Sequence, residues 1–559
     1  MFRLDKSAFM TEIGCSVKLS AATRETGVMR PCGEGGLSND SAEEAEVRWS
    51  SENTDIAVVD ENGNVTALSD GDTVVIAGNA KGETARCTVS VGYKGQNPIL
   101  PPTWGLFIAD GEPHVFDGRM YIYGSRDNPF GRNSEGKVEF CSSDYHVIYS
   151  DDLIHWTDAG VSISVEDFPP ELRIIDERHK IDYLWAPDLF RSPDGKFYLT
   201  FCSGGSGGTY FIAESGDPAG PFGNVRRITY NGERISGIDP GVLTDDDGKV
   251  YIALPSPFRI GELDPAAGYA SIKEGSIVSV QELVAESPDG YYGFEGPSLR
   301  KFNGRYYFIY IAAKLGTGLP VRMNYLVSDN IRDGWRFGGT IIDMFDYLAG
   351  INVHGSVEFF GGNYYLSYHR CVPGLSEKLG PEAYLSVTRE MCLERLEMLD
   401  DGSFKRAVTT SSGAKGAFKR GEWIPAGAAC VFSGGRFDVR YVHRGSDVPG
   451  KPYQLRFSGW AYAWFDREGQ WNGFRYVDLT GCSEAVLSVR TEATGAGIDV
   501  KELDSGLILA SFNVVNTRGE WMEFRAPLEQ PLTGGRSVSV GLRRAPDSGR
   551  VEFDWIGFV

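Results

Sequence analysis

Several features that mark other protein classes are missing from this chain of 559 residues. No stretch approaches the roughly 18 apolar residues that a membrane helix needs, and the start, MFRLDKSAFMTEIG, lacks the apolar core of a signal peptide. Basic side chains are outnumbered, 55 against 76 acidic ones, for a formal net charge of −21. This charge repels nucleic acid and anionic lipid. We therefore expect no nucleic-acid or membrane partner, and a cytoplasmic location as the sequence stands, or secretion if a leader was removed.

The nine cysteines are an odd, scattered set without a CxxC or CxxxC pair. They predict buried free thiols rather than a disulfide framework or a zinc site. Long apolar stripes at helical spacing are also missing. The aromatic residues, 12% of the chain, fall instead in short alternating runs that are typical of β-strands. An all-β fold follows, with several domains because single cores stop growing near ~250–300 residues.

Five copies of one short pattern organise the middle of the chain: a glycine turn followed by an aromatic-aliphatic run. They read FDGRMYIY (116–123), PDGKFYLT (193–200), DDGKVYIA (246–253), FNGRYYFI (302–309) and FGGNYYLS (360–367). Repeats of ~40–60 residues built from turn-bounded strands are typical of β-propellers, with one four-stranded blade per repeat. Residues 94–397 are therefore predicted to form a five-bladed β-propeller that carries the catalytic site.

The segments on either side of the propeller also predict β structure. Residues 1–93 contain short strands separated by ENGN, SDGD and AKGE turns, which indicate an Ig-like β-sandwich. Residues 398–420 are polar and rich in glycine and serine, as in a linker. Residues 421–559 alternate with period two at their end and predict a second β-sandwich, of the jelly-roll kind.

An ionisable residue precedes each copy at a similar offset: Asp110, Asp188, Asp239, Glu295 and His354. If the strand before each turn is the innermost one of its blade, these five side chains converge on one end of the central channel. A single carboxylate beside glycine or proline is usually a turn former. Five at the same offset favour a functional site.

Carboxyl groups crowded in a channel raise one another's pKa, so an acid and a base can coexist there. Glycoside hydrolysis requires such a pair. Glu295, within YYGFEGPS, has aromatic neighbours and no cation, and is the better acid candidate. Asp110 and Asp239 have less apolar surroundings and are expected to stay ionised.

Six segments together resemble glycoside hydrolase family 43. They are IADGEPHVFDGRMYIYGSRD, DYHVIYSDDLIHWTDAG, LWAPDLFRSPDGKFYLTF, GIDPGVLTDDDGKVYI, FEGPSLRKFNGRYYFIY and NVHGSVEFFGGNYYLSYHR, in this order over about 300 residues. The resemblance implies a five-bladed propeller and an inverting enzyme. It also implies action on α-L-arabinofuranosides and β-D-xylosides of plant cell walls.

The same resemblance implies individual roles. Asp110 matches the general base, although glycine follows it here where the family more often has proline. Glu295 matches the general acid, and Asp239 the third carboxylate, which orients the acid and tunes its pKa. His354 matches a histidine that in many members coordinates an axial calcium or a water cluster; no cofactor is required. Asp188 is not one of the three catalytic carboxylates and is expected to be structural.

Further residues are candidates for contacts with the sugar. Trp185, Phe294 and Trp104 are expected to line the pocket. Asp127 in GSRD and Arg370 in YHR are expected to hold sugar hydroxyls. A buried or surface ion pair is an equally good explanation for each of these two charged residues.

Both flanking segments have resemblances of their own. VRWSSENTDIAVVDENGNVTAL resembles the bacterial Ig-like group 2 module, usually a spacer or adhesive unit. The C-terminal segment resembles carbohydrate-binding module family 6 through GFRYVDLTGCSEAVLSVRTEA, GEWMEFRAPL and FDWIGF. Aromatic rings stack on sugar faces, and the rings available here are Trp460, Trp464, Trp471, Tyr476 and Trp521.

Taken together, the sequence favours an exo-acting, inverting α-L-arabinofuranosidase whose partners are arabinose- or xylose-containing oligosaccharides or polysaccharides. A β-D-xylosidase or galactofuranosidase on the same fold is the alternative within the enzyme class. A non-catalytic carbohydrate-binding or adhesive protein is the alternative outside it.

Overall fold

The structure is a computed structural model that describes residues 2–25, 28–31, 47–128, 140, 142–173, 183–204, 208–255, 257–284, 287–288, 290–314, 316, 321–344, 352–371, 389–433, 436–438, 441–445, 454–457 and 462–559. Within these ranges the fold is all-β. One α-helix, α1 (Gln281–Val284), and short 3₁₀ turns accompany the strands: Pro102–Trp104, Val165–Asp167, Pro170–Leu172, Pro265–Ala267, Gly413–Lys415 and Ala426–Ala428. Over the same part of the chain, every helix is too short or too polar to cross a membrane.

The N-terminal strands build two three-stranded sheets and part of a larger sheet around one apolar core. They are β1 (Phe2–Leu4), β2 (Ala8–Thr11), β3 (Ser16–Lys18), β4 (Ala21–Glu25), β5 (Val28–Pro31), β6 (Arg48–Ser51), β7 (Ala57–Val59), β8 (Asn64–Ala67), β9 (Gly71–Gly78) and β10 (Thr84–Val91). The predicted AKGE turn joins β9 to β10, where Gly82 adopts a left-handed φ of 78°. Such a backbone favours glycine because it has no Cβ.

Within the described residues, the middle of the chain forms five sets of three or four antiparallel strands, two of which belong to one larger sheet, and one small sheet with a parallel pair. The strands are β11 (Phe107–Phe116), β12 (Arg119–Asp127), β13 (Asp144–Ser150), β14 (Trp156–Ser164), β15 (Leu184–Arg191), β16 (Phe197–Ser203), β17 (Tyr210–Ser215), β18 (Gly223–Arg227), β19 (Thr229–Tyr230), β20 (Glu233–Arg234), β21 (Gly241–Thr244), β22 (Val250–Leu254), β23 (Arg259–Glu262), β24 (Ser271–Ile272), β25 (Val278–Ser279), β26 (Tyr291–Phe302), β27 (Arg305–Lys314), β28 (Val321–Ser328), β29 (Arg336–Asp343), β30 (Gly355–Phe360), β31 (Asn363–Cys371) and β32 (Arg389–Leu396).

The repeated glycines lie in the hairpin turns that join the first and second strands of these five sets. Their φ values are all left-handed, between 77° and 89°, at Gly118, Gly195, Gly248, Gly304 and Gly362. The pattern recurs because each turn needs a residue that tolerates this backbone.

The first strands of the five sets contact one another in order. β11 contacts β15, β15 contacts β21, β21 contacts β26, β26 contacts β30, and β30 returns to β11. The last contact includes a parallel pairing of Gly111 with Gly355. The five first strands therefore surround a common axis.

The N-terminal strands are joined to this arrangement through the edge strand β14. Strand β2 pairs with β14 on one side and with β10 on the other. One sheet of eleven strands results, in the order β32-β31-β30-β11-β12-β13-β14-β2-β10-β9-β6. The sequence did not predict this sheet, because nothing in β2 or β14 marks them as partners.

The C-terminal strands form two larger sheets and a separate hairpin. They are β33 (Trp423–Pro425), β34 (Val431–Ser433), β35 (Arg436–Asp438), β36 (Tyr441–Gly445), β37 (Gln454–Phe457), β38 (Tyr462–Phe465), β39 (Trp471–Asp478), β40 (Glu484–Arg490), β41 (Ala496–Glu502), β42 (Ile508–Val514), β43 (Met522–Pro527), β44 (Gly535–Arg544) and β45 (Val551–Phe558). Of the predicted sugar-stacking rings, Trp460 lies outside the described residues.

Part of the polar connection before β33 is buried. Residues 409–412 are buried, and the Ser411 N–H donates to the carbonyl of Arg475. Asn97 Nδ2 donates to the carbonyl of Thr410 at 3.0 Å. This segment is therefore held between β32 and the C-terminal strands by buried hydrogen bonds.

Candidate active site

The first strands carry an unusual backbone where they approach the axis. Asp110, Ala186, Asp239 and Gly296 have φ values of 56°, 37°, 51° and 63°. In β11, β15 and β26 the pairing register shifts at the same level. A left-handed φ costs a non-glycine residue about 1–3 kcal/mol, and such strain collects where structure is held for function.

Asp110 is buried at the bulge of β11 and makes hydrogen bonds through both carboxylate oxygens and its backbone N–H. Its Oδ2 accepts from Ser125 Oγ at 2.6 Å, and its Oδ1 accepts from Arg389 Nη1 at 2.8 Å. Its backbone N–H donates to His369 Nδ1 at 3.0 Å. The carboxylate is held in one orientation by partners from three different strands.

These partners decide the charge of Asp110. Burial alone would raise its pKa, but Arg389, His369, His354 and the Ser125 hydroxyl outweigh burial and lower the pKa to about 2. Asp110 is therefore ionised at neutral pH, as the sequence predicted.

Arg389 is itself fixed by a second carboxylate. Its Nε and Nη2 donate to the two oxygens of Asp127 at 2.9 and 2.8 Å, and its backbone N–H donates to the same side chain. Its guanidinium lies 4.3 Å from the centroid of the Phe140 ring. The planar fork of arginine suits this bidentate contact and leaves Nη1 free to reach Asp110.

Glu295 lies on β26, and Asp239 stands two residues before β21, the neighbouring first strand. Asp239 Oδ2 accepts from the N–H of Gly296, the residue after Glu295, at 3.2 Å. Burial first, then Glu295 and Asp110, raise the pKa of Asp239 well above its ordinary value. This direction runs against the expectation that Asp239 stays ionised: Arg389 opposes the rise but does not outweigh burial and the two carboxylates.

Glu295 remains half-buried. Burial and the negative charge of Asp110 raise its pKa to about 7, although Arg389 opposes the change. Glu295 is therefore largely protonated below neutral pH. Asn352 Nδ2 donates to its Oε1 at 3.4 Å, and Asn352 Oδ1 accepts from His369 Nε2 at 2.5 Å.

Asp188 lies in a separate buried cluster along the axis. Its Oδ1 is 2.6 Å from His114 Nε2, and its Oδ2 accepts from the Val242 N–H at 2.7 Å. Both contacts tie neighbouring first strands together, which agrees with a structural role. Nearby, Glu112 accepts from Arg300 Nη2 at 2.6 Å, and burial together with Asp188 raises the pKa of Glu112 to about 8.

The predicted aromatic residues occupy different surroundings. Trp185 is half-buried on β15, and its indole N–H donates to the carbonyl of Phe140, which also lies against Arg389. Phe294 directly precedes Glu295 and is half-buried beside Tyr292, with 6.1 Å between ring centroids. These two rings lie near the carboxylates.

Three other residues that were predicted to contact the sugar bind other parts of the protein instead. Trp104 donates through Nε1 to Ser90 Oγ at 2.9 Å, so it contacts the N-terminal strands instead. Asp127 uses both oxygens to hold Arg389. Arg370 donates to the carbonyls of Ala429 and Gly427 in the C-terminal part of the chain. For Asp127 and Arg370 the alternative explanation, an ion pair, matches the contacts.

His354 was predicted to mark a calcium or water site. Its Nδ1 is 3.6 Å from Asp110 Oδ1 and its Nε2 is 3.9 Å from Glu112 Oε1. Calcium prefers six to eight oxygen ligands, but both carboxylates already accept from arginines. Among the described residues, no group of three histidine, cysteine or acidic side chains could hold a metal ion. These residues do not fit a calcium held by protein side chains.

Sequence reasoning missed the residues that control the carboxylates: Ser125, His369, Arg389 and Asn352. Two of them stand beside residues that it named. His369 precedes Arg370, and because side chains alternate along β31, only one of the pair can face the axis. Asn352 stands two residues before His354. Arg389 had no signal, because its role depends on contacts with distant segments.

The arrangement provides two carboxyl groups of opposite protonation state within one buried site. Asp110 is an ionised acceptor that can take a proton from water. Glu295 is a protonated donor that keeps access to solvent. Such a pair can protonate a leaving oxygen and activate a water molecule in the same reaction.

Comparison with known proteins agrees with this chemistry. Residues 96–404 match the family described as glycosyl hydrolases family 43, and residues 35–89 match the bacterial Ig-like domain (group 2). A xylosidase/arabinosidase of Thermoclostridium stercorarium is 29% identical over 480 residues, covering 78% of this chain and 93% of the relative. A xylosidase/arabinosidase of Bacteroides ovatus is 30% identical over 310 residues, covering 48% and 87%.

A solved structure is similar over much of the chain. It is a family 43 arabinoxylan arabinofuranohydrolase from Bacillus subtilis, in complex with cellotetraose. The sequence identity is 21% and the TM-score 0.43, over 83% of this chain and 97% of that protein.

Proposed function

Because the chain belongs to glycosyl hydrolases family 43, we propose that it is an inverting exo-glycosidase that releases terminal pentose residues from plant cell-wall oligosaccharides. The favoured sugar is α-L-arabinofuranose. The observation that carries the proposal is the opposite protonation of Asp110 and Glu295 within one site. A second observation is the presence of the third carboxylate, Asp239, beside Gly296.

The proposed mechanism follows from these charges. Glu295 donates its proton to the glycosidic oxygen as the bond to the anomeric carbon breaks. Asp110 accepts a proton from the attacking water on the opposite face of the sugar. Arg389 keeps Asp110 ionised, and Asp239 supports the strand of Glu295 through the Gly296 N–H. No metal is needed for any of these steps.

The proposed architecture is a five-bladed propeller between two β-sandwiches. The closed order of contacts among β11, β15, β21, β26 and β30 supports five blades. The match of residues 35–89 to the Ig-like domain supports the first sandwich. The C-terminal sheets β35-β38-β45-β40-β43 and β34-β39-β44-β41-β42 are proposed to be the second.

Two of the predicted sugar-stacking rings in the C-terminal sandwich lie against arginine side chains. Among its predicted rings, Trp464 lies under Arg550 and Trp521 under Arg490, with 5.1 and 4.6 Å between guanidinium carbon and ring centroid. Glu552 pairs with both arginines. Each of these two rings therefore has one face covered by an arginine, so that only the other face is open to a sugar.

The choice of sugar rests on the named relatives. Two of them are called xylosidase/arabinosidase, so β-D-xylosidase activity is the first alternative. The alternative outside the enzyme class, a carbohydrate-binding protein without activity, is disfavoured because all three carboxylates are present and because the pKa of Asp110 is lowered while those of Asp239 and Glu295 are raised.

A panel of aryl glycosides tests the proposal. We expect turnover of aryl α-L-arabinofuranoside, weaker or comparable turnover of aryl β-D-xyloside, and none of aryl hexopyranosides. Proton NMR of the first-formed sugar should show inverted configuration at the anomeric carbon. A retained configuration would overturn the inverting mechanism. Inactivity on every pentoside and galactofuranoside, together with measurable polysaccharide binding, would favour the binding protein.

A further inference from the structure

A continuous series of hydrogen bonds joins the backbone N–H of Asp110 to the carboxyl group of Glu295. It runs from the Asp110 N–H to His369 Nδ1, from His369 Nε2 to Asn352 Oδ1, and from Asn352 Nδ2 to Glu295 Oε1. From this geometry we infer that Asn352 is a positioning residue for Glu295: it directs the acidic proton of Glu295 toward the substrate. The inference rests on the proposed function and adds a residue to it.

The first link determines the protonation of His369. A backbone N–H can only donate, so Nδ1 of the imidazole must be unprotonated to accept it. His369 is fully buried, and burial together with Arg389 lowers its pKa well below the ordinary value. The ring is therefore neutral, with its single N–H on Nε2.

The second link determines the orientation of the Asn352 amide. Its oxygen faces two donors, His369 Nε2 at 2.5 Å and Arg389 Nη1 at 3.3 Å. The reverse orientation would place the NH₂ group against two N–H donors. The amide nitrogen must therefore face Glu295, and this assignment follows from the network.

The third link acts on the acid. A neutral carboxyl group has one carbonyl oxygen, the better acceptor, and one hydroxyl oxygen. Because Asn352 Nδ2 donates to Oε1, the carbonyl character falls on Oε1 and the proton on Oε2. Asn352 thus selects which oxygen carries the proton. After proton transfer the same N–H stabilises the carboxylate that forms.

The test compares leaving groups in Asn352→Ala. For aryl glycosides with poor leaving groups, which need protonation, kcat should fall about 10- to 100-fold. For a dinitrophenyl glycoside, whose leaving group needs no proton, kcat should change less than about threefold. Asn363→Ala, on the same strand as His369 but at the surface turn, is the matched control and should show no leaving-group selectivity.

A double-mutant cycle then separates positioning from a general structural effect. If Asn352 acts through Glu295, adding Asn352→Ala to Glu295→Ala should cause no further loss on either substrate. Equal losses on both substrates in the single variant, or an additive loss in the double variant, would overturn the inference. Wild-type inactivity would instead overturn the proposed function, so the two failures are distinguishable.

Discussion

Arg389 Nη1 lies 2.8 Å from Oδ1 of Asp110, and the two residues are 279 positions apart in the chain. The remaining nitrogens of the guanidinium are held by Asp127. This contact explains why a fully buried carboxylate stays ionised: the cation is brought to it by the fold and kept there by a second buried carboxylate.

The acid limb of the pH profile should depend on this contact. Asp110 acts as a base only when ionised, and its pKa of about 2 keeps it ionised through the acidic range. Without the cation the pKa rises, so kcat/KM should be lost at a higher pH on the acid side. We expect this for Arg389→Met combined with Asp127→Asn, measured as kcat/KM between pH 3 and 8.

The second substitution in that variant avoids leaving Asp127 charged and unpaired in the interior, which would cost several kcal/mol of stability. Arg389→Lys keeps a positive charge and serves as the comparison. In this variant the pH at which kcat/KM is lost on the acid side should rise less than in the double variant. An acid limb that stays in place in the double variant would show that Arg389 does not control Asp110.

The basic limb should report Glu295. The acid is active when protonated, and its pKa is raised to about 7, so kcat/KM should fall as pH rises through about 7. Glu295→Ala should abolish turnover of natural oligosaccharides. On a dinitrophenyl glycoside, whose leaving group needs no proton, the wild type should lack this basic limb and Glu295→Ala should keep most of its kcat/KM. A basic limb near pH 7 in the wild type on the dinitrophenyl glycoside would assign the limb to another group.

Arg370 should matter for stability rather than catalysis. It donates to the carbonyls of Ala429 and Gly427 and pairs with Glu390 at 3.3 Å. Arg370→Ala leaves Glu390 without this partner and should lower the free energy of unfolding by about 3–5 kcal/mol, measured by urea denaturation. The kcat/KM on an aryl glycoside should stay unchanged, because Arg370 contacts none of the three carboxylates.

The matched control for that variant is Arg395→Ala. Arg395 is exposed on β32, the strand that pairs with the one carrying Arg370, and its loss should cost less than about 0.5 kcal/mol. If Arg370→Ala and Arg395→Ala lowered the free energy of unfolding equally, the buried contacts of Arg370 would stabilise the fold no more than those of an exposed arginine.

Glu394 should make stability depend on pH. Burial raises its pKa to about 8 despite hydrogen bonds from Thr410, Tyr368 and Asn97. The folded state therefore keeps a proton that the unfolded state, with a pKa near 4.5, has lost. Stability should fall as pH rises from about 4.5 to about 8.

Glu394→Gln reproduces the protonated shape and removes this titration. Its unfolding free energy, measured by urea denaturation at pH 5.5 and 8.5, should therefore fall less between the two values than that of the wild type. Identical pH dependence in both proteins would mean that Glu394 does not titrate in this range.

The turns and strands of the central region could be predicted from the sequence because their causes are local. A hairpin needs a left-handed residue, which glycine supplies, and a half-buried strand alternates with period two. Counting back from Gly118, Gly248 and Gly304 was therefore enough to find Asp110, Asp239 and Glu295. The offset works because Asp110 and Glu295 stand on the strand that precedes their own turn, and Asp239 stands just before such a strand.

The protonation states required the tertiary structure. Asp110 and Asp239 have similar local sequences, with glycine or proline after the aspartate and a left-handed φ in both. The pKa of Asp110 is lowered to about 2 because Arg389 donates to it directly, whereas burial and the neighbouring carboxylates raise the pKa of Asp239. The sequence could not predict this difference, since the arginine comes from a strand 279 residues away.

The tertiary structure also decides which of His369 and Arg370 faces the site. Both stand in YHR, and the sequence alone offered the arginine as the sugar-contacting residue. The strand β31 directs His369 toward Asp110 and Arg370 toward the C-terminal segment. Sequence by itself determined that the chain repeats one β unit and which carboxylates stand at its register. Only the tertiary structure decided their charges, because a pKa depends on what distant segments bring within a few ångströms.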